Sequence, residues 1–162
     1  MNPLIVPPER VRQLQIIQAA MGLGVVIFAI VVFSMGSVLV GAPDEPDTEV
    51  IDILTVAHLA TAISGYAAAA FLFNAQLSRW NGAPETFFDV FQTATIVRLA
   101  LMEGAALFGL VVYLLAGQAG IENTSRTYFV NAASVVIFIG FVILTFPTPE
   151  RIEAVYNEKA AR

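Results

Sequence analysis

The sequence predicts an all-α membrane protein, a four-transmembrane-helix bundle with the N- and C-termini on the cytoplasmic side. Three observations support this fold class. The composition is 57% hydrophobic and only 13% charged, whereas a soluble domain carries about 25% charged residues. The sparse charge is absent from four apolar stretches, each long enough to cross a hydrocarbon core of roughly 30 Å as a helix. The basic residues lie mainly on one side of these stretches, which places both termini on the cytoplasmic side. The spans leave no room for a separate soluble domain, so residues 1–162 are predicted to form a single membrane domain.

The first and fourth apolar stretches are rich in valine and isoleucine and are expected to face lipid. Span one is predicted at 14–40, with Val32 among its lipid-facing residues. The segment 41–52 carries five carboxylates and two prolines without a base, and it is therefore expected to be a loop. Span four is predicted at 128–146, before a short helical cytoplasmic tail at 147–162.

The second span, predicted at 53–77, and the third span are rich in alanine and glycine and are expected to form the inner, tightly packed pair. Small side chains recur in span two at four-residue spacing. In membranes such a stripe lets another helix backbone approach closely. The candidate packing residues are Ala60, Ser64, Gly65, Ala68 and Ala69.

The third span is predicted at about 90–116, after a turn marked by Asn81, Gly82 and Pro84. A second outer loop is expected at 117–127. Orientation follows from the basic residues near the span ends. With the termini inside, six bases lie on the cytoplasmic side and only Arg126 lies outside. A bacterial inner (plasma) membrane with the chain as a multi-pass protein is the expected location.

Composition also excludes several classes of function. The net charge of −5 argues against nucleic acid as a partner. The chain has no cysteine and one histidine, so no metal site and no cofactor are expected. No nucleophile with an adjacent base is evident, so an enzyme is not expected. We expect a hydrogen bond at the membrane interface for His58 rather than heme ligation.

Four further polar residues lie within or beside the predicted spans. They are expected to form hydrogen bonds between helices, because lipid offers polar groups no other partner. These residues are Tyr66, Asn74, Gln92 and Asn131.

Glu103 is the residue most indicative of function. It lies about 15 Å into span three counted from Thr93, near the bilayer midplane. A carboxylate there costs at least about 2.5–3.5 kcal/mol unless it is protonated, paired or hydrated. It is therefore either a reversible ion site or a structural acid bonded to a neighbouring helix.

Arg98 precedes Glu103 by five residues, which turns the two side chains about 140° apart on one helix. Arg98 either reaches the cytoplasmic headgroups, pairs with Glu103 of a neighbouring chain, or joins a cluster with Asp89 or Glu85. Of the possible states of Glu103, the sequence favours an ionised carboxylate paired with Arg98 of another chain.

The middle of the chain resembles the helical hairpin of the ATP synthase proteolipid, the c subunit. A small-residue helix at 60–70 leads to a polar loop containing Arg79 and the pair Pro84-Glu85. A second helix then reads Glu103-Gly-Ala-Ala-Leu-Phe-Gly-Leu-Val-Val, close to the wording of that family around its ion-carrying acid. The resemblance implies that Glu103 binds an ion. The whole chain looks more like a group of uncharacterised four-span bacterial membrane proteins that share this hairpin.

Two functions are therefore expected from the sequence. The first is a membrane subunit or scaffold of a larger complex, in which Glu103 and Arg98 are structural. The alternative is a proteolipid-like protein that translocates or senses protons, with Glu103 as the carrier. In both cases the partners are the lipid bilayer and other membrane subunits or further copies of the chain.

Overall fold

A computed structural model describes residues 6–36, 48–119 and 126–161, and the regular structure in these segments is entirely helical. A 3-10 turn at Arg126–Phe129 precedes the fourth helix. The helices are α1 (Pro8–Gly36), α2 (Glu49–Ser78), α3 (Pro84–Gln118), α4 (Val130–Leu144) and α5 (Pro149–Ala160). By length and composition α1, α2 and α3 can each cross a membrane, and α4 passes the same test only together with α5, across an 88° bend. The protein is thus an all-helical chain suited to a bilayer.

Helices α1, α2 and α3 begin earlier than the hydropathy pattern predicts. Helix α2 starts at Glu49 rather than at 53, because Glu49 and Asp52 in its first turn stabilise the positive end of the helix dipole. Helix α3 starts at Pro84 rather than near 90, since proline is favoured at the first helical position. Three predicted segments lie partly outside the described residues. These parts are 37–40 of the first span, 41–47 of the first outer loop and 120–125 of the second outer loop.

Helix α3 is the central element of the bundle and packs against α1, α2 and α4. Half of the residues in its most apolar stretch are buried, against 22% in α1 and 17% in α2. The expected packing of spans two and three against each other is confirmed, because α2 packs mainly on α3. The expected inner position is wrong for α2, which leaves most of its surface exposed. The expectation that Val32 faces lipid is also wrong. It is 1% exposed and belongs to the core cluster with Leu110 and Phe138, because α1 lies against α3 on that side.

The turn between α2 and α3 follows the prediction from the sequence. Gly82 has a φ of +84°, which favours glycine because other residues meet a steric penalty there. The Asn81 side-chain oxygen accepts hydrogen bonds from the Ala83 amide and the Thr86 hydroxyl, each at 3.1 Å. The two helices are thereby joined by a tightly bonded connection.

An aromatic cluster closes the end of the bundle where this turn lies. The Trp80 ring centroid is 5.1 Å from that of Phe87 and 5.5 Å from that of Tyr156. Ile152 and Tyr156 of α5 are buried in the cluster, so α5 lies across the end of the bundle. Its start is capped by the Thr148 hydroxyl, which accepts a hydrogen bond from the Arg151 amide at 3.4 Å.

Two charge effects act at this same end. Arg10 of α1 forms an ion pair with Asp89 of α3 and lies 4.7 Å from the Phe88 ring centroid. A hydrogen bond from its own backbone amide, and then one from Thr148, lower the pKa of Glu150 at the start of α5. The ion pair joins α1 to α3 next to this cluster.

Side chains from α1 and α5 cap the carboxyl end of α4. The last carbonyls of a helix have no partners within it, and an unsatisfied carbonyl in hydrocarbon costs several kcal/mol. Gln18 Nε2 donates to the Val142 carbonyl at 2.7 Å, and Gln15 Nε2 donates to the Pro147 carbonyl at 2.8 Å. Arg151 donates to the Leu144 carbonyl. These bonds permit the sharp bend between α4 and α5.

Candidate functional site

An open groove runs between α2 and α3 and is lined by small side chains from both helices. The lining residues are Thr61, Ser64, Gly65, Ala68, Ala100, Leu101, Gly104 and Ala105. Three of the five predicted packing residues, Ser64, Gly65 and Ala68, thus line this groove. A Cβ on Gly65 would be 3.7 Å from the Leu101 carbonyl oxygen, so the two backbones are close there.

The other two packing candidates, Ala60 and Ala69, do not line the groove. Ala69 is 1% exposed and belongs to the core, whereas Ala60 is exposed. Ser64 is exposed too, and its hydroxyl donates to the Ala60 carbonyl at 2.7 Å, which satisfies the hydroxyl without a second helix. The small-residue stripe of α2 is therefore buried in the bundle at Ala69 and exposed at Ala60 and Ser64.

Glu103 is not among the residues that line the groove. It lies one turn after Ala100, about 60° around α3 from that residue and about 100° from Gly104. It is about 28 Å along the helix from Pro84, near the middle of the 35-residue α3. Its side chain is partly exposed. Within the described part of the chain, its carboxylate forms no hydrogen bond and no ion pair.

Arg98 faces away from Glu103, towards α4 and α5. Its guanidinium lies 4.9 Å from the Phe73 ring centroid and 4.3 Å from that of Phe141. The buried Nε atom has no hydrogen-bond partner among the described residues. Asp89, one of the expected acidic partners, pairs with Arg10 instead. Pairing of Arg98 with Glu103 of another chain stays a prediction.

A second polar site joins α2 to α4 inside the bundle, around His58. The His58 side chain is 1% exposed, with Nδ1 at 2.9 Å from Asn131 Oδ1 and Nε2 at 3.2 Å from Ser134 Oγ. The Asn131 amide nitrogen donates to Thr55 Oγ1 at 3.0 Å, so Asn131 Oδ1 is the acceptor and His58 Nδ1 carries the proton. The expectation that His58 forms a hydrogen bond is confirmed, and its expected position at the membrane interface stays a prediction.

This network continues toward both ends of α2. The Tyr128 hydroxyl donates to Asp52 Oδ1 at 2.6 Å, near the start of α2. Deeper in the bundle, the Tyr66 hydroxyl donates to the Ser134 carbonyl at 3.4 Å. Helix-to-helix bonds are thus confirmed for Tyr66 and Asn131.

The same expectation is wrong for two other residues. The Asn74 side chain donates to the Ala70 carbonyl of its own helix at 3.0 Å. Gln92 forms no hydrogen bond between helices among the described residues. Asn74 is exposed on α2 and Gln92 is partly exposed on α3.

Gly109 of α3 completes the site and was not anticipated from the sequence. A Cβ at this position would overlap the Asn131 carbonyl oxygen and would lie 2.6 Å from Ser134 Oγ and 2.7 Å from His58 Nε2. A substrate could not enter here, because the backbone of α3 fills the space beside both polar atoms. The distances among Ser134, His58 and Asn131 match those of a nucleophile, a base and an orienting residue, but the packing makes the array structural.

Besides the polarity of His58, Tyr66 and Asn131 within the spans, the sequence carries one further signal for this network, the spacing of two pairs of polar residues. Thr55 and His58 are three residues apart, as are Asn131 and Ser134, so each pair shares a helix face. Nothing in the sequence shows that the two faces meet. Among the described residues, no group of three or more His, Cys, Asp or Glu side chains is arranged to hold a metal ion.

Comparisons of this chain with protein-family models, with the curated proteins and with the solved structures find no match.

Proposed function

We propose that this chain is a structural subunit of a larger membrane assembly and that partner helices bind along the groove between α2 and α3. The proposed membrane placement has four spans with both termini in the cytoplasm of a bacterial cell. The 15-residue α4 is about 22 Å long, and the preceding 3-10 turn adds about 8 Å. Together they match a hydrocarbon core of about 30 Å, which supports a fourth span.

The proposal is supported by two observations, an open groove of small residues and the unpaired Glu103, which lies one turn of α3 from Ala100 at the edge of that groove. In lipid, a carboxylate at mid-depth without a partner is costly. A groove lined by Gly65, Gly104 and neighbouring alanines allows a helix backbone to approach closely. A partner helix in the groove would supply both packing for the small residues and a donor for Glu103. The role is proposed as non-enzymatic because the His58 site has no room for a substrate.

Photo-crosslinking in native membranes tests this proposal. A photoreactive amino acid placed at Ser64, in the groove, should give a defined protein adduct. The matched control is Val136 on α4, which is 74% exposed and lies outside the groove, and which should give lipid adducts only. Lipid adducts alone at Ser64 would overturn the proposal.

A second candidate function is the proton carrier that the proteolipid-like hairpin implies. It is favoured by the absence of any cation beside Glu103 in the described chain, because a carrier acid must be able to take up and release a proton. A hydrophobic carbodiimide modifies protonated carboxyl groups in lipid. Strong labelling of the unmutated chain at pH 7, abolished by Glu103→Gln, would raise this function above the structural one.

Absence of labelling at pH 7 would instead indicate an ionised, paired Glu103. If Arg98 of a neighbouring copy is the partner, Arg98→Gln should unmask the labelling. If another subunit supplies the partner, Arg98→Gln should leave the labelling absent.

A further inference from the structure

A pocket of about 370 Å³ lies between α3, α4 and α5 at the bend that follows α4. Its polar lining includes two guanidinium groups, Arg98 and Arg151, and none of the described side chains that line it is acidic. The rest of the wall is largely apolar, with Phe73, Phe141 and Leu144 among its residues. The pocket therefore combines concentrated positive charge with a hydrophobic surface.

The two arginines are held in place by the chain but keep unused donors. Arg98 is fixed between the Phe73 and Phe141 rings. Its Nε is buried without a partner among the described residues, and its two terminal nitrogens form no hydrogen bond there either. Arg151 donates from Nη1 to the carbonyls of Leu144 and Phe146, and its other side-chain nitrogens form no hydrogen bond among the described residues. Planar guanidinium groups with fixed forks suit the oxygens of a phosphate.

The position of the pocket favours the phosphate of a lipid headgroup over a soluble phosphate. Helix α5 lies nearly perpendicular to α4, at 88°, so the bend lies at the headgroup level if α4 crosses the membrane. Leu144 is 72% exposed and Ile143 is 67% exposed, which provides an apolar surface running from the pocket along α4. A soluble phosphate would use the arginines alone, whereas a lipid would also cover this surface.

We propose that this pocket binds an anionic glycerophospholipid, with its phosphate on Arg98 and Arg151 and an acyl chain along α4. The inference rests on the membrane placement proposed above and not on assembly through the groove. Two cations without a carboxylate favour a headgroup with net negative charge over a zwitterionic one. The bound lipid would stabilise the bend and fix α5 at the membrane surface.

Native mass spectrometry of the full chain in detergent micelles tests the site. Phosphatidylglycerol should be retained and an equal amount of phosphatidylcholine should not. Arg98→Gln and Arg151→Gln should each lower retention of phosphatidylglycerol by about tenfold, as expected for loss of a charged donor worth about 1.4 kcal/mol. The control is Arg79→Gln, an exposed arginine at the same end of the bundle that lines a different pocket with Asp89, and it should change nothing.

Three results would overturn the proposal. These are equal retention of both lipids, an equal loss with Arg79→Gln, and displacement of phosphatidylglycerol by inorganic phosphate, which would indicate a site for free anions. If Arg98→Gln does not fold, the exposed Arg151 variant decides the outcome. Retention is measured on single chains, so a failure of the assembly proposal would leave this result unaffected.

Discussion

Asn131 is the residue on which the polar contact between α2 and α4 depends most. Its side chain accepts from His58 Nδ1 and donates to Thr55 Oγ1, and it is completely buried. A buried polar group left without its partner costs about 1–3 kcal/mol. Loss of the Asn131 amide would leave two buried groups, His58 Nδ1 and Thr55 Oγ1, without this partner.

We therefore expect Asn131→Leu to lower the thermal unfolding temperature of the chain in detergent by several degrees. The matched control is Asn74→Leu, because Asn74 is exposed and bonds only within its own helix. An equal effect of the two substitutions would contradict a special role for the His58 network.

At the scale of elements, α5 is an amphipathic helix held to the bundle by few side chains. Ile152 is fully buried and Tyr156 is 4% exposed, and Tyr156 contacts both Trp80 and Phe87. The other contacts of α5 with α3 are limited. The docking of α5 should therefore respond to a single core substitution.

Ile152→Ala is expected to weaken this docking by about 2–5 kcal/mol, through lost burial and the cavity it leaves. Trp80 is the only tryptophan of the chain, so its fluorescence reports the change directly. The emission should shift to the red when Tyr156 moves away and water enters. Glu153→Ala, on the exposed side of α5, should leave the spectrum unchanged, and a similar shift in both variants would contradict the account.

The positions of the helices along the chain could be predicted from the sequence better than which helices pack against each other. The apolar stretches and the Asn81-Gly82 turn each carry a local signal, so the existence of the long helices followed from composition and spacing. The central position of α3 did not follow from composition and spacing. Valine-rich and alanine-rich helix faces can each pack against lipid or against other helices, so composition does not distinguish the two. Val32 illustrates the failure, since burial of that side chain depends on where α1 lies against α3.

The candidate site was predicted in part for the same reason. Glu103 is a charged residue in an apolar stretch, so the sequence alone identifies it as a candidate site residue. The groove and the Arg98 pocket need the arrangement of α2, α4 and α5 around α3, which no local pattern specifies. Gly109 is the clearest case, because a glycine in an alanine-rich helix shows no sign of the Asn131 carbonyl packed against it.

At the scale of the whole molecule, the proposed topology places the bundle with six bases on the cytoplasmic side. The chain has no cysteine, so single cysteines can be labelled without background. A membrane-impermeant thiol reagent should label Thr48→Cys and Gln118→Cys from outside intact cells. Asn81→Cys and Asn157→Cys should react only after the membrane is opened. Labelling of Asn81→Cys in intact cells would reverse the orientation.

Assembly through the groove is the central claim for the whole molecule. Extraction in a nanodisc-forming polymer, followed by native mass measurement, tests it most directly. We expect particles that contain more protein than one 17.4 kDa chain. Gly104→Leu should reduce them to single chains by filling the groove. The chain itself should tolerate the change, because no described atom outside the adjoining part of α3 lies within 4 Å of the added Cβ. Gly24→Leu on α1, with equally open space, should keep the larger particles. A single 17.4 kDa chain in the unmutated sample, or no effect of Gly104→Leu, would contradict the account.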